Sequence, residues 1–265
     1  MSMHKMRPKG NNPKNIHRRE TAPDSRRSES RGGSSGTYYI YGKHAVMAAL
    51  ENPDRQIRRV LATANATSGL KLRPGLQLET VTAQAIEKHV PDSAVHQGIA
   101  AEVFPLGEPM LEVCIANGQP VLVLDQVTDP QNVGAILRSA AAFDAACVVV
   151  PKHGAPDESG ALAKAASGAL ELVPLVRVGN LSQCLETLKQ SGYWCAGLDG
   201  YATQTISQAN LSRKTALVMG AEGKGLRRLT GENCDLLVKL PISERMESLN
   251  VSNAAAIALY ELSRA

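Results

Sequence analysis

The sequence has few aromatic residues and no long apolar run. Only 3% of its 265 residues are aromatic, too few for a platform of rings that stacks single-stranded RNA bases, so an RNA partner would have to be held through backbone and phosphate contacts. No stretch reaches the roughly 18 apolar residues of a membrane span, and the N-terminus lacks the apolar core of a signal peptide. We therefore predict a cytoplasmic protein without a membrane segment.

Cysteine usage excludes two further classes. The chain has five cysteines, an odd number, and they form no C-x-x-C pair, which argues against a disulfide framework and against a zinc knuckle. We predict core thiols and no metal site. The cysteines are Cys114, Cys147, Cys184, Cys195 and Cys234.

Positive charge is concentrated at the N-terminus. The net charge of the chain is +4, and residues 1–36 hold nine Lys or Arg, three Asp or Glu and hardly any aliphatic residues. Such a segment buries too little apolar surface to offset its ordering entropy, so we predict a disordered tail. It is equally consistent with a basic arm that attracts a polyanion and with a solvated tail. Its acidic residues and its Gly and Pro content argue against a mitochondrial presequence.

The rest of the chain alternates strand-like and helix-like patterns, which predicts an α/β fold. Residues 37–104 form a small α/β unit, residues 105–115 have the Pro and Gly content of a linker, and residues 116–265 form a larger domain with a parallel sheet. Strands of the large sheet are predicted at 121–124, 147–150, 194–198, 216–219 and 236–240, and its helices at 132–143, 158–170, 180–191, 225–231 and from Val251 onward.

Ligands of open α/β sheets bind beyond the carboxyl ends of the strands. After the first strand of the large domain, Asp129 is placed to cap a helix that carries Asn132 and Arg138. These two residues are six apart, so they project within about 120 degrees of each other. Taken alone, the segment is typical of a helix cap followed by a surface arginine.

A glycine-rich segment, Gly220-Ala-Glu-Gly-Lys-Gly225, follows the strand at 216–219. Its spacing matches neither G-x-G-x-x-G nor a P-loop, which excludes a nucleotide-dependent oxidoreductase. The glycines permit a tight loop close to a ligand, with Glu222 in the same space. A third segment, from Leu240 to Ser252, places Ser248 and Asn250 before the last helix, where capping is their ordinary role.

Together these segments resemble the SpoU (TrmH) family of RNA ribose 2′-O-methyltransferases in the SPOUT superfamily. The matching segments are Asn132-Val-Gly-Ala-Ile-Leu-Arg138, Val218-Met-Gly-Ala-Glu-Gly-Lys-Gly-Leu226, and Leu240-Pro-Ile with Ser248-Leu-Asn-Val-Ser252. The segments Tyr39-Ile-Tyr-Gly-Lys-His-Ala-Val46 and Val95-His-Gln-Gly-Ile99 are similar to the L30e-like substrate-binding domain of the subgroup that methylates a guanosine in 23S rRNA.

The resemblance implies a deep trefoil knot, a homodimer that completes the active site, and S-adenosylmethionine as methyl donor. By the same analogy, the cofactor is held by Gly220, Leu240, Ile242 and Leu249. The family's functional positions correspond to Asn132, Arg138, Glu222, Ser248 and Asn250. Where relatives often have glycine, a few residues after Pro241, this chain has Ser243-Glu-Arg-Met-Glu247. We therefore expect Glu244 to alter the backbone freedom of that loop and to add charge beside the cofactor.

Chemistry then suggests roles for these groups, in which Asn132, Ser248 and Asn250 would orient the ribose and the loops. Methyl transfer needs an in-line approach and removal of the hydroxyl proton. Arg138 would hold the nucleotide and stabilise the developing alkoxide, since a guanidinium is a poor base. Either Glu222 or a substrate phosphate would take the proton. The hypothesis is 23S rRNA methylation; the alternatives are methylation of tRNA and a non-catalytic RNA-binding or ribosome-assembly protein of the same fold.

Overall fold

The computed structural model describes residues 36–264, which contain two β-sheets flanked by helices. These residues belong to one compact unit, Gly32–Ala265. The strands are β1 (Tyr38–Tyr41), β2 (Ile57–Ala62), β3 (Leu78–Thr80), β4 (Ile99–Val103), β5 (Val121–Leu124), β6 (Cys147–Pro151), β7 (Leu175–Val178), β8 (Trp194–Leu198), β9 (Gln204–Thr205), β10 (Thr215–Met219) and β11 (Leu236–Lys239). The helices are α1 (Lys43–Glu51), α2 (Ala83–Glu87), α3 (Leu111–Cys114), α4 (Pro130–Ala142), α5 (Gly160–Ala166), α6 (Leu181–Gln190), α7 (Arg228–Glu232) and α8 (Val251–Ser263). The predicted tail, except Gly36, lies outside the described residues.

The first sheet is small and mixed. Its order is β1-β4-β2-β3, in which β4 runs antiparallel to both of its neighbours and β2 pairs with β3 in parallel. A turn at Gly42, whose φ of 89° favours glycine, joins β1 to α1. The predicted strand–turn–helix start of this unit is confirmed.

The second sheet has seven strands in the order β7-β6-β5-β10-β8-β11-β9, and every pairing is parallel. Its central strands are buried on both faces, which explains their unbroken apolar sequence. The five predicted strands are confirmed. The edge strands β7 and β9 were not predicted, because an edge strand needs less apolar sequence and β9 has only two residues.

Two predicted helices are shorter than the pattern suggested. The helix predicted at 158–170 ends at Ala166, because Ser167 adopts a left-handed conformation with φ of 52°. The helix predicted at 225–231 begins only at Arg228, because the glycine-rich residues before it form a hairpin closed by an Ala221–Gly225 bridge. Short apolar repeats do not reveal such breaks.

A buried ion network joins the small sheet to the large one. Arg55, only 1% exposed, donates to Glu171 at 2.7 Å and to Glu158 at 3.1 Å. The Tyr38 hydroxyl donates to Glu158 at 2.7 Å, and the Asn52 amide donates to Glu171 at 2.8 Å. Buried charges are tolerated when they are paired and hydrogen-bonded in this way. The two sheets are therefore held together by specific polar contacts as well as by apolar packing.

Within residues 36–264, no helix has the length and apolar character needed to cross a membrane. The five cysteines are all free thiols; three are buried and two are partly buried.

Candidate functional site

A cavity of about 290 Å³ opens at the carboxyl ends of β8, β10 and β11. This is the edge of the sheet where ligands of α/β proteins bind, and the volume lies near the lower end of ligand pockets, roughly 300 Å³. All four residues expected to hold a cofactor line it: Gly220, Leu240, Ile242 and Leu249. So do Glu222 and Ser248, two of the predicted functional residues.

Position 220 has room only for glycine. A Cβ at this position would collide with the backbone of Gly225 and Leu226, which folds directly over it. The Gly225 N–H donates to the Ala221 carbonyl at 2.9 Å and closes the loop. Gly223 and Gly225 have φ of 77° and 65°, the left-handed region that favours glycine. This segment is therefore a tight hairpin, which we call the glycine hairpin (Gly220–Gly225), and it forms one wall of the cavity.

Three predicted functional side chains meet beside the glycine hairpin. The Asn250 amide Nδ2 donates to Asn132 Oδ1 at 3.0 Å and reaches Glu222 Oε2 at 3.4 Å. Its Oδ1 accepts from the backbone N–H of Ser252 at 2.9 Å, so Asn250 also caps α8. Asn132 stands in the first turn of α4, where Asp129 caps the helix as predicted. The capping role and the clustering of the motif residues are thus compatible.

The segment between β11 and α8 supplies the opposite wall. Leu240 and Leu249 are partly buried there, and Ser248 is exposed, its hydroxyl making no hydrogen bond to any described residue. Glu244 lies in an exposed turn that is closed by a Met246 N–H bond to Ser243. It does not line the cavity; the acidic side chain of this segment that does so is Glu247. Of the residues that stand where relatives often have glycine, Glu247 therefore lines the cavity and Glu244 does not.

Arg138 lies apart from the cluster. It is two turns further along α4 than Asn132, is exposed, and makes no hydrogen bond or ion pair with residues 36–264. The structure thus brings Asn132, Asn250 and Glu222 together but does not bring Arg138 to them. A long, charged side chain without a partner is available to bind a ligand or another protein chain.

Two residues at or beside the cavity belong to none of the sequence motifs. Asp125 is 0% exposed at the end of β5 and binds Arg227, the residue after Leu226 in the cavity wall. A polar residue directly after a fully apolar strand was the available signal. Tyr201 also lines the cavity although it is 91% exposed; it belongs to a loop whose position depends on β8, and no local pattern marks it.

The thiols do not provide a nucleophile. Burial, reinforced by nearby acidic groups, raises the pKa of Cys184, Cys195 and Cys234 to about 12. These thiols are protonated at neutral pH, whereas the thiolate is the reactive form. Among residues 36–264, no cysteine lines the cavity; its ionisable side chains are those of Asp199, Tyr201, Glu222, Lys224, Lys239 and Glu247.

Comparisons with known proteins match both parts of the chain. Residues 119–260 match the model of the SpoU rRNA Methylase family. Residues 39–109 match a model described as RNA 2'-O ribose methyltransferase substrate binding.

Relatives match along most of their length. The chain is 42% identical to the 23S rRNA (guanosine-2'-O-)-methyltransferase RlmB of Pseudomonas putida over 243 residues, which is 85% of this chain and 95% of the relative. It is also 42% identical to the RlmB of Haemophilus influenzae, covering 85% of this chain and 96% of that one.

Solved structures share the fold. The SpoU methyltransferase AviRb of Streptomyces viridochromogenes, in complex with AdoMet, has a TM-score of 0.73 at 21% identity and covers 86% of this chain and 90% of its own. A putative RNA methyltransferase of the TrmH family from Porphyromonas gingivalis has a TM-score of 0.72 at 25% identity, with coverage of 86% and 90%.

Proposed function

The chain belongs to the SpoU rRNA methylase family, and from this premise we propose that it transfers a methyl group from S-adenosylmethionine to the ribose 2′-OH of a guanosine in 23S rRNA. The observation that carries the proposal is the hydrogen-bonded group of Asn132, Asn250 and Glu222, which unites three distant segments beside the cavity. Relatives named as 23S rRNA methyltransferases match this chain over nearly their whole length, including its small α/β unit.

The cavity fits the proposed cofactor. The glycine hairpin offers backbone groups at close range because Gly220 has no Cβ, and Leu240 and Leu249 offer apolar walls. Three carboxylates and two lysines line the same space, an excess of one negative charge that suits a ligand carrying positive charge. The carboxylates are those of Asp199, Glu222 and Glu247, and the lysines are Lys224 and Lys239. When bound there, S-adenosylmethionine supplies an electrophilic methyl group on a sulfonium sulfur. Gly220, Leu240, Ile242 and Leu249 would hold it.

The remaining groups act on the nucleotide. Glu222 accepts the proton of the 2′-OH at its carboxylate, which Asn250 orients through the 3.4 Å contact. Asn132 fixes Asn250 in turn. Ser248, whose hydroxyl has no partner among residues 36–264, donates to the ribose. Arg138 binds a phosphate of the target and stabilises negative charge on the attacking oxygen.

The active site is completed in a homodimer. Arg138 has no partner within the described chain, and α8, which packs on the helix that carries Arg138, exposes Ile257 (42%) and Tyr260 (50%). Apolar residues exposed on a surface helix are suited to a two-fold contact.

Co-expression of Arg138→Ala and Gly220→Ala chains tests the shared site. About half of the dimers should contain one chain of each kind, and in such a dimer one of the two sites combines an intact Arg138 with an intact Gly220 of the other chain. About a quarter of all sites should therefore be active. Zero recovery would contradict a shared site.

The proposal also includes the knot, the domain division and the cytoplasmic location. The chain first forms β6 and β7 on one side of β5 and later returns to place β10 between β5 and β8. This order supports a knot in which the C-terminal part of the chain is threaded. The small sheet at 37–104 would bind the RNA, residues 105–115 would link it to the methyltransferase domain at 116–265, and the protein would meet its rRNA in the cytoplasm.

The decisive experiment maps 2′-O-methyl groups in total RNA from cells with and without the gene, and repeats the reaction with purified protein, labelled S-adenosylmethionine and either 23S rRNA or tRNA. A methyl group lost from 23S rRNA supports the proposal, whereas a change confined to tRNA would identify tRNA as the substrate.

Substitutions test the proposed site residues. Glu222→Gln and Arg138→Ala should each lower the rate of methylation about 100-fold or more. Arg213→Ala, which removes a surface arginine paired with Asp144, is the matched control. Absence of cofactor binding in calorimetry would favour a non-catalytic RNA-binding protein.

A further inference from the structure

Asp125 is a buried carboxylate in the methyltransferase domain. It follows β5 directly and is 0% exposed, and its backbone N–H donates to the Met219 carbonyl at 2.7 Å. Its Oδ2 accepts from the backbone N–H of Arg227 at 3.1 Å, and its Oδ1 accepts from Arg227 Nε at 2.7 Å. One carboxylate therefore fixes both the backbone and the side chain of Arg227. Charge-assisted bonds of this kind offset the cost of burying Asp125.

The two partners differ greatly in exposure. The side chain of Arg227 is 50% exposed, whereas that of Asp125 is 0% exposed. Only Nε of the guanidinium is used, and neither terminal nitrogen of Arg227 makes a hydrogen bond to a residue between 36 and 264. Arg227 directly follows Leu226, which lines the cofactor cavity. The two free terminal nitrogens, which form the fork of the guanidinium, are thus held in one orientation two residues beyond the glycine hairpin.

We propose that Arg227 binds a phosphate of the RNA substrate and that Asp125 is the residue that positions it. The inference rests on the proposed function, because it takes RNA as the substrate. A planar guanidinium presents paired donors that match phosphate geometry. Holding Nε on a buried carboxylate reduces the conformational freedom that binding would otherwise remove. If the contact served only to hold the chain beyond the glycine hairpin, the bond from the Arg227 backbone N–H to Asp125 would be enough. That role would not explain why Asp125 also holds the guanidinium.

The first test compares two neighbouring arginines. Arg227→Gln should weaken RNA binding about tenfold and reduce the salt slope of binding by about 0.7 to 0.9, the value of one phosphate contact. Affinity for S-adenosylmethionine should stay within about twofold. Arg228→Gln is the matched control, because Arg228 is 75% exposed and pairs with Glu232 on α7; it should change RNA affinity less than about twofold. RNA affinity is measured by filter binding at several salt concentrations, and cofactor affinity by calorimetry.

The second test concerns the positioning residue. Arg227→Lys keeps the charge but loses the held fork, so it should restore the salt slope without restoring full affinity. Asp125→Asn should reproduce part of the RNA defect, and adding it to Arg227→Gln should weaken RNA binding no further, since both act through one group. In Asp125→Asn, the Michaelis constant for RNA should rise by a larger factor than kcat falls.

Equal RNA affinities for Arg227→Gln and Arg228→Gln would overturn the phosphate contact. Any loss of affinity would then follow from removing one positive charge from this part of the surface and not from a specific contact of Arg227. Loss of cofactor affinity with unchanged RNA binding would also overturn it, in favour of a purely structural bond. Unchanged RNA binding in Asp125→Asn would overturn the positioning role; if that variant does not fold, the Lys and Gln variants of Arg227 decide the phosphate contact. Failure of the proposed function is distinguishable, because the wild-type protein itself would then fail to methylate 23S rRNA, whatever the Arg227 variants do.

Discussion

Replacing Gly220 by alanine tests the site most directly. The added Cβ would overlap the backbone of Gly225 and Leu226, while ordinary contact for a Cβ begins at 3.4 Å. The obstacle is backbone and not the end of a flexible side chain, so the glycine hairpin must retreat by roughly an ångström. Since this hairpin forms a wall of the cavity, the substitution should change the shape of the cofactor site before it changes the rest of the fold.

The size of the effect follows from the cost of overpacking. Inserting a methyl group into a filled space costs about 1 to 3 kcal/mol. If the bound state needs the hairpin in its present position, that cost appears as a loss of affinity of about fivefold to 150-fold. Calorimetry with S-adenosylmethionine measures this loss, and thermal unfolding reports separately on the stability of the variant.

Gly231→Ala is the matched control. Gly231 lies in α7, a few residues beyond the hairpin, and a Cβ there would meet nothing within 4 Å. Alanine in a helix is favoured over glycine by up to about 1 kcal/mol, so this variant should be at least as stable as the wild type, with unchanged cofactor affinity. Wild-type affinity in a folded Gly220→Ala protein would refute the conclusion that the closed hairpin shapes the cavity.

Three further predictions concern stability. Arg55→Met leaves Glu158 and Glu171 buried without their cation, and should lower the free energy of unfolding by about 3 to 5 kcal/mol in urea titrations. Burial opposes ionisation of Glu102, but hydrogen bonds from Arg59 and other donors outweigh it and lower its pKa from 4.5 to about 2. Its ionised form therefore stabilises the fold above pH 4.5, and about 2 to 3 kcal/mol should be lost as the pH falls from 4.5 to 2; Glu102→Gln should lack this loss in the same titrations. Gly134→Ala, whose Cβ would lie 2.6 Å from that of Ala165, should separate α4 from α5 and lower the melting temperature despite its better helix propensity.

Local signals predicted the parts of the fold that depend on local sequence. The central strands are buried on both faces, so their apolar runs are unbroken, and the side chain of Asp129 caps α4 whatever the rest of the chain does. The edge strand β7 carries Arg177 between its valines, which weakens the apolar pattern. The early end of α5 depends on one left-handed residue, Ser167, which is not a glycine and gives no warning in the sequence.

The meeting of the motif residues could be expected only from the resemblance, because distance along the chain hides it. Asn132 and Asn250 are 118 residues apart, and they touch because α8, which Asn250 caps, packs on α4, whose first turn holds Asn132. Spacing alone assigned Asn250 to a helix cap, and that assignment is confirmed. The contact with Asn132 depends on which helices are neighbours, a property that no single segment encodes.

The distribution of charge assigns different tasks to different parts of the chain. Residues 1–36 carry six more positive than negative charges, whereas the whole chain carries only +4, so residues 37–265 are slightly negative. At physiological salt a charge acts over about 8 Å. A tail that is disordered, as its composition predicts, raises the rate of encounter with an RNA but does not place one ribose within reach of a methyl group. Placement requires cations with fixed orientation on the folded body, and Arg227, whose Nε is bound to a carboxylate that is 0% exposed, meets that requirement. A truncation of residues 1–36 should consequently reduce the salt dependence of RNA binding while leaving the position of methylation unchanged, and a shift of that position would contradict this division.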